Sequence, residues 1–489
     1  MLTDTQSDSP RLIRNGIFLL GIEIVTKLLG LIFFIFLARF LGAGELGLYA
    51  YAVTLANFFV LVPKFGFESL VQREVGRNHA SAWQYFRALS TLKGILALLS
   101  LLALTGVAVF TLSPEEGQTV LLIGCFVFTY SFLEFVDAFF RALERAEFEV
   151  LVRLWFSLAN LTIGFYLLYS GRGLKAVVMG QLVSVLTAVL IALVILHRVV
   201  LLVSNRLSAK GLWQYFINAT PFAGIVAALF FSNQMGILIL SFFTNKTEVG
   251  YLAAGLRLFD NLTLIPAAVM GAFLPVVSRY YRTSIGAFTT TVRLTLKYLF
   301  VFSAPLAVGM FCLAPQLTVF LFKNAFLPTA GVLQILSLAL IFSFWNYLGD
   351  NVLIARNQET KLLRLAWLGA GIHVATNLAL IPHFSYLGAC WATLLTQVFY
   401  FVILFGYMRR YLDISGLIRL IWRPTLAAVV MGLGVLELRS LPIAIVILAG
   451  MIIYALMLLV TKTLTTKELQ SLKEVWQVRH VKPQPADSV

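Results

Sequence analysis

Charged residues are scarce in this chain. Asp, Glu, Lys and Arg together make up 12% of its 489 residues, whereas hydrophobic residues make up 60%. Soluble domains carry about 25% charged and about 45–50% apolar residues. So small a polar fraction excludes a chain built from soluble domains. A membrane-spanning helix needs roughly 20 apolar residues, and runs of that length recur along the sequence. We therefore expect an all-α polytopic membrane protein.

Cysteine and histidine are also rare, with three and five residues. Cys125, Cys312 and Cys390 lie in apolar runs, without the spacing of a metal site or a disulfide framework, so we expect buried free thiols. The chain contains no phosphate-binding G-x-x-x-x-G-K-[ST] segment and no H-E-x-x-H zinc motif. We expect no catalytic residues, no metal and no cofactor, and thus a protein that is not an enzyme. Any transport must draw on an ion gradient, the membrane potential or consumption of the substrate.

Fourteen apolar runs lie between charged or Pro- and Gly-rich breaks, and each predicts a spanning helix. They are residues 15–38, 46–63, 88–110, 118–140, 150–169, 176–197, 217–243, 250–274, 295–313, 331–355, 362–381, 388–407, 424–438 and 441–461. The short apolar run 315–327 is expected to cap the ninth helix or to lie at the membrane interface. The run from Ile17 to Ala38 is too long for a signal peptide and lacks an A-x-A site, so we expect it to be the first span.

The formal charge of +15 could suggest nucleic-acid binding, but the distribution of the basic residues argues against it. Alternate connections between the predicted spans hold 29 of the 37 Lys and Arg residues, and the opposite connections hold six. This asymmetry follows the positive-inside rule with both termini in the cytoplasm. We expect a multi-pass protein of the bacterial (cell inner) plasma membrane with no nucleic-acid partner.

An internal repeat appears when the sequence is shifted by 203 residues. E-L-G-L-Y at 45–49 then aligns with E-V-G-Y-L at 248–252, and Asn57 aligns with Asp260. Each repeat holds six predicted spans. An even number keeps the orientation, so the halves should be related by a pseudo-two-fold axis along the membrane normal. We expect an N-terminal lobe at 1–204, a C-terminal lobe at 205–411, and two further helices with a cytoplasmic tail at 412–489.

Four ionisable residues lie deep inside predicted spans, where they are costly and usually face a wet cavity or a partner. Glu23 and Lys27 are four residues apart, and Arg257 and Asp260 are three apart, so each pair can share a helix face. Lys27 and Arg257 are the two basic residues well inside the spans, one in each half. Two cations facing a central cavity would suit an anionic group such as a diphosphate. The alternative is that each pair neutralises itself and serves packing alone.

Two further acidic sites lie inside predicted spans. Glu134 and Asp137 share a face of the fourth span close to Arg141, which favours neutralisation over a functional role. Asp350 lies in the tenth span beside Asn346 and Asn351.

Uncharged amide side chains provide another set of candidate cavity residues. Asn15, Asn218, Asn233 and Gln234 are expected to line the inner faces of the first and seventh spans, which begin the two halves. Such amides can hydrogen-bond sugar hydroxyls. They can equally join helices, at about 0.6 kcal/mol each.

Several segments together resemble the Wzx-type oligosaccharide-lipid flippases of the multidrug/oligosaccharidyl-lipid/polysaccharide exporter (MOP) superfamily. They include A-R-F-L-G-A-G-E-L-G-L-Y-A-Y-A at 38–52, F-G-F-E-S-L-V-Q-R-E-V-G-R at 65–77, T-E-V-G-Y-L-A-A-G-L-R-L at 247–258 and L-I-A-R-N-Q-E-T-K at 353–361. The resemblance covers about residues 11–460.

The resemblance implies a two-lobed bundle of fourteen helices around a cationic cavity. It implies that the partners are the lipid bilayer and a polyprenyl-diphosphate-linked oligosaccharide, which the protein turns from the cytoplasmic to the outer leaflet for polysaccharide polymerase machinery. Lys27 and Arg257 lie on helices where related flippases carry cavity cations. Many members have an acidic residue in the seventh helix, whereas this chain has Asn233 and Gln234, so proton or sodium coupling through that helix is not implied.

Two other functions compete with this interpretation. A small-molecule or drug cation antiporter of the same superfamily would need acidic cavity residues, whereas Lys27 and Arg257 are basic. A membrane-bound glycosyltransferase or polymerase would be expected to carry a long catalytic loop, which the sequence lacks.

Overall fold

The computed structural model describes residues 9–199, 209–409 and 414–463, and within these ranges the secondary structure is helical throughout. The α-helices are α1 (Ser9–Lys64), α2 (Phe67–Arg77), α3 (Ala82–Thr111), α4 (Pro114–Ala142), α5 (Ala146–Tyr169), α6 (Gly173–Val199), α7 (Ala209–Asn233), α8 (Met235–Phe243), α9 (Lys246–Leu262), α10 (Leu264–Thr283), α11 (Ile285–Phe322), α12 (Thr329–Ala355), α13 (Glu359–Met408), α14 (Ile414–Glu437) and α15 (Ile443–Val460).

Twelve helical stretches of the described chain are long and apolar enough to span a membrane, and two of these cross it twice. α1 and α13 are 56 and 50 residues long, far more than the roughly 20 residues of one crossing. Each is interrupted by one non-helical residue, Gly42 in α1 and Ser385 in α13. His373 and Thr396 lie 3.3 Å apart on either side of Ser385, so α13 folds back on itself. The resulting fourteen crossings confirm the predicted all-α fold.

The helices extend beyond most of the predicted ends. α11 starts at Ile285 rather than at residue 295, and it continues through the run 315–327 as far as Phe322. Lys64, Lys93 and Arg153, which the sequence assigned to the basic connections or to the ends of predicted spans, therefore lie in spanning stretches. The prediction that only two basic residues lie well inside the spans was wrong, because each of these cations has a carboxylate partner on another helix. Lys93, only 3% exposed, donates to Ser131 and pairs with Glu68 at 3.3 Å.

The two halves of the chain pack closely where α1 meets α9. A Cβ atom on Gly47 would lie 1.6 Å from the Lys246 carbonyl oxygen, and one on Gly250 would lie 2.0 Å from the Ala43 carbonyl oxygen. Ala43 and Lys246, like Gly47 and Gly250, are separated by 203 residues. Each half thus makes the same contact with the other, as expected at a two-fold interface. The close approach requires residues without side chains.

Candidate functional site

A cavity of about 580 Å³ lies in the first half of the bundle, enclosed by α1, α4, α5 and α6 and by one residue of α9. Glu23 and Asn57 both line it from α1, although 34 residues separate them, because α1 reverses direction at Gly42. We call it the basic cavity, since four basic and two acidic residues line it: Lys27, Lys64, Arg153, Arg257, Glu23 and Glu134.

Two of the cations that line the basic cavity each have one carboxylate partner. Lys27 pairs with Glu23 at 3.0 Å, as the sequence predicted, and both side chains are nearly half exposed. Lys64 pairs with Glu134 at 2.9 Å. These two positive charges are therefore already balanced within the protein.

Arg153 is held more firmly than the two lysines. Its Nε lies 2.9 Å from Asp137 Oδ2 and 3.1 Å from Glu149 Oε1. Asp137 is only 1% exposed and does not line the cavity. Glu134 and Asp137 are both neutralised, as the sequence predicted, but not by Arg141, because each has its own partner on another helix. Arg141 pairs with Glu149 instead.

Arg257 differs from the other three cations, because no described carboxylate forms an ion pair with it. Its guanidinium lies over the Phe34 ring, 5.5 Å from the ring centroid. A Cβ atom on Gly30 would lie 3.2 Å from Arg257 Nη2, so the glycine leaves room for the guanidinium. Both Lys27 and Arg257 thus line the same cavity. Of the four cations, Arg257 is the one without a described carboxylate at ion-pair distance.

Asp260 does not pair with Arg257, contrary to the sequence prediction. Side chains three residues apart leave a helix in directions that differ by about 60° around its axis. On α9 this difference is enough for the two side chains to face different cavities. Arg257 lines the basic cavity, whereas Asp260 lines a second cavity in the other half.

This second cavity has a volume of about 550 Å³ and lies between α7, α9, α12 and α13. Asp260, Asp350 and Glu359 line it, and no Lys or Arg of the described chain does so. We call it the acidic cavity. Asp350 accepts a hydrogen bond from the Tyr400 hydroxyl at 2.9 Å, and Asn346 Nδ2 donates to Gln397 Oε1 at 2.7 Å. The sequence predicted one central cavity and gave no sign of this division of charge.

The predicted amide residues do not form one group. Asn233 lines the acidic cavity and donates to the Leu229 carbonyl of its own helix at 2.7 Å. Gln234 lines neither cavity and accepts a long hydrogen bond of 3.5 Å from Thr54. Asn218 is half-buried and also lines neither cavity. The side chain of Asn15 lies outside the described part of the chain. The role of Asn218 and Gln234 at an inner face therefore stays a prediction.

Sequence reasoning missed the amides that do line the basic cavity: Asn57, Asn160 and Gln181. A signal was available on α5, where Arg153, Ser157 and Asn160 follow the spacing i, i+4, i+7 among mostly apolar residues. Such spacing places side chains on one helix face. These residues do share one face, and it is the face that α5 turns to the cavity.

A helical bundle with fourteen crossings around two charged cavities has the architecture of a membrane transporter. Residues 12–281, more than half of the chain, match the profile of the family described as "Polysaccharide biosynthesis protein". The chain belongs to this family.

Individual relatives support the same fold. The chain is 22% identical over 392 residues to the probable flippase AglR of Haloferax volcanii, covering 79% of this chain and 81% of the relative. Among solved structures, the lipid II flippase MurJ in its inward closed conformation is similar with a TM-score of 0.72 at 15% identity, covering 90% of this chain and 98% of MurJ. An inward-facing MATE family transporter of the MOP superfamily is similar with a TM-score of 0.60 at 14% identity, covering 81% and 94%. The chain therefore has the fold of the MOP superfamily.

Proposed function

We propose that this protein is a flippase that moves a polyprenyl-diphosphate-linked oligosaccharide from the cytoplasmic to the outer leaflet for polysaccharide biosynthesis. The observation that carries the proposal is that Arg257 lines the basic cavity without a carboxylate of the described chain at ion-pair distance. A charge in the membrane interior is costly without a counter-ion. An anionic substrate would supply that counter-ion during transport.

The chemistry of the cavity favours a phosphate-containing group. A guanidinium binds two phosphate oxygens at once through parallel hydrogen bonds. Lys27 can assist, because its pair with Glu23 is 46% and 48% exposed and is joined by flexible side chains. Exposed pairs of this kind are worth about 0–1 kcal/mol, so a diphosphate can displace Glu23 from Lys27 at little cost.

The names of the similar proteins agree with this proposal. The family is described by polysaccharide biosynthesis, the Haloferax relative is described as a probable flippase, and MurJ is named as a flippase for lipid II. A lipid-linked sugar is the substrate class that is compatible with all three descriptions. The outer-leaflet product would pass to polysaccharide polymerase machinery.

The proposed mechanism is alternating access between two lobes, residues 1–204 and 205–411, with residues 412–489 as an addition. The reciprocal contact of Gly47 and Gly250 supports a two-fold relation between these lobes. A second contact between the lobes lies just after the C-terminal end of α1. There Phe65 stacks on Phe216 with ring centroids 4.2 Å apart, and Gln84 donates to the Tyr215 hydroxyl at 3.0 Å. One of these two closures must open in each access state. We place the protein in the bacterial inner membrane, and the basic-residue asymmetry supports an orientation with both termini cytoplasmic.

Deletion of the gene followed by lipid extraction tests the substrate in the cell. We expect polyprenyl-diphosphate oligosaccharide to accumulate facing the cytoplasm, because the step that removes it from that leaflet is lost. An unchanged level of this lipid together with a normal surface polymer would contradict the proposal.

A second candidate function is antiport of small organic cations. The acidic cavity favours it, because three carboxylates line that cavity and no described basic residue does. Efflux of a fluorescent cation from cells that express the protein distinguishes the two functions. Efflux that is lost in Asp350→Asn but retained in Arg257→Gln would favour the antiporter, and the reverse pattern for lipid transport would favour the flippase.

A further inference from the structure

Four uncharged polar side chains line the basic cavity without being saturated by the protein. They are Asn57, Ser157, Asn160 and Gln181, and we call them the amide cluster. Asn160 is 8% exposed, and its side chain forms no hydrogen bond with the described residues. Gln181 is 2% exposed; its Nε2 donates to the Tyr49 hydroxyl at 3.1 Å, and its Oε1 has no donor.

Such side chains are unfavourable unless something else provides their hydrogen bonds. A buried polar group without a partner costs about 1–3 kcal/mol. Asn377, which lines neither cavity, also has a buried oxygen without a donor, but its Nδ2 donates to the His373 carbonyl at 2.7 Å. The amide cluster differs because its residues line a cavity large enough for a ligand, and the two oxygens without donors are buried within these lining side chains. The cluster therefore has the properties of a binding site for a ligand that donates hydrogen bonds.

The chemistry of the cluster complements that of the cations. Lys27 and Arg257 only donate hydrogen bonds, whereas the free oxygens of Asn160 and Gln181 only accept them. Cations and amides thus line one cavity. On α5 a third cation, Arg153, even shares a helix face with Asn160, which lies seven residues, or about 10 Å, further along the helix. A ligand that satisfies both must have an anionic part and a neighbouring part rich in hydroxyl or amide N–H groups.

We propose that the amide cluster binds the sugar residue next to the diphosphate, with Asn160 and Gln181 accepting hydrogen bonds from its hydroxyl or N-acetyl groups. This inference rests on the proposed flippase function. Phe33 and Phe156 also line the cavity, and their rings offer apolar surface to the C–H faces of a sugar. Phe33 is held in place because it packs directly on Gly164, where a Cβ atom would lie 2.4 Å from its ring. The cluster thus binds the sugar, whereas the cations bind the diphosphate.

Binding to the purified full-length protein in nanodiscs tests this assignment with two lipids. One is undecaprenyl diphosphate, and the other is undecaprenyl diphosphate linked to N-acetylglucosamine. We expect the wild type to bind the sugar-linked lipid about 10-fold more tightly, which is the effect of one or two net hydrogen bonds. Asn160→Leu and Gln181→Met, which are similar in size but apolar, should reduce this preference to about 3-fold or less. Their affinity for the sugar-free lipid should stay unchanged, which also shows that the variants are folded.

Two further variants separate the failure of this inference from the failure of the proposed function. Arg257→Gln should weaken binding of both lipids equally, and a variant that binds both like the wild type would contradict the proposed function itself. Asn233→Leu, in the acidic cavity, is the matched amide control and should leave the sugar preference intact. If Asn160→Leu and Gln181→Met keep the full preference while Arg257→Gln weakens both lipids, the cluster holds only water and the inference is wrong.

Discussion

Gly47 and Gly250 occupy equivalent positions in the two halves of the chain. Each lies against a backbone carbonyl of the opposite half, and that carbonyl belongs to the residue four positions before the other glycine. The contacted carbonyls belong to Lys246 and Ala43, so the relationship is reciprocal. A 203-residue offset seen first in the sequence thus reappears as a symmetric contact between α1 and α9.

Adding a side chain at this contact should destabilise the protein. Gly250→Ala places a Cβ atom 2.0 Å from the Ala43 carbonyl oxygen, and α1 and α9 must then move apart. Overpacking of this kind costs about 1–3 kcal/mol. We expect a Tm several degrees lower in detergent, measured by fluorescence-detected size-exclusion chromatography after heating. Gly44→Ala is the control, because its Cβ atom would be 3.6 Å from its nearest neighbour, Thr247 Oγ1; equal Tm values for both variants would contradict the close contact.

The contact between Phe65 and Phe216 should have to open during transport. Cysteines at both positions, in a background lacking Cys125, Cys312 and Cys390, should be joined by a short thiol-cleavable bifunctional reagent, because the two rings stack at 4.2 Å. We expect the cross-linked protein to lose lipid translocation and to regain it on reduction. Translocation at the wild-type rate in the cross-linked state would show that this end of the bundle does not open.

Arg257 should matter for its shape as well as its charge. Arg257→Lys keeps the charge but loses the planar fork that binds two phosphate oxygens, so we expect an intermediate affinity for undecaprenyl diphosphate. Arg257→Gln should weaken that affinity at least 10-fold, which corresponds to about 1.4 kcal/mol. The neighbouring Asp260→Asn is the control, because Asp260 lines the other cavity. Equal losses in Arg257→Gln and Asp260→Asn would indicate a general structural effect.

Asp137 should act on stability rather than on binding. It is buried and does not line the basic cavity, but it accepts a hydrogen bond from Arg153 at 2.9 Å. Removing one partner of a buried pair costs about 3–5 kcal/mol, and less here because Glu149 also contacts Arg153. We expect Asp137→Asn to lower the Tm clearly while the affinity of the folded fraction for undecaprenyl diphosphate stays within about 2-fold. Unchanged Tm with lost affinity would place Asp137 in the substrate site instead.

The fold was largely predictable because lipid imposes strong constraints on a sequence. Apolar runs of sufficient length mark the crossings, and the breaks at Gly42 and Ser385 lie in short gaps between predicted spans. The pair of Glu23 and Lys27 was also predictable, since four residues separate its members on one helix. These features depend on neighbours in the sequence.

The cavity residues were harder to predict because they depend on neighbours in space. Lys64 pairs with Glu134 on another helix, so nothing near Lys64 in the sequence shows that it lines a cavity. Arg257 and Asp260 are only three residues apart on α9, but they line different cavities because α9 lies where the two halves meet. Helical spacing fixes relative direction but not which helices surround each side chain.

Translocation in reconstituted liposomes tests the central claim most directly. Undecaprenyl-diphosphate oligosaccharide is incorporated, and the fraction open to an impermeant sugar-modifying enzyme added outside is followed with time. We predict that wild-type protein makes almost all of the lipid accessible, whereas Arg257→Gln slows this at least 10-fold and Asp260→Asn does not. Accessibility that stays at the one-leaflet level with well-folded wild-type protein would contradict the account.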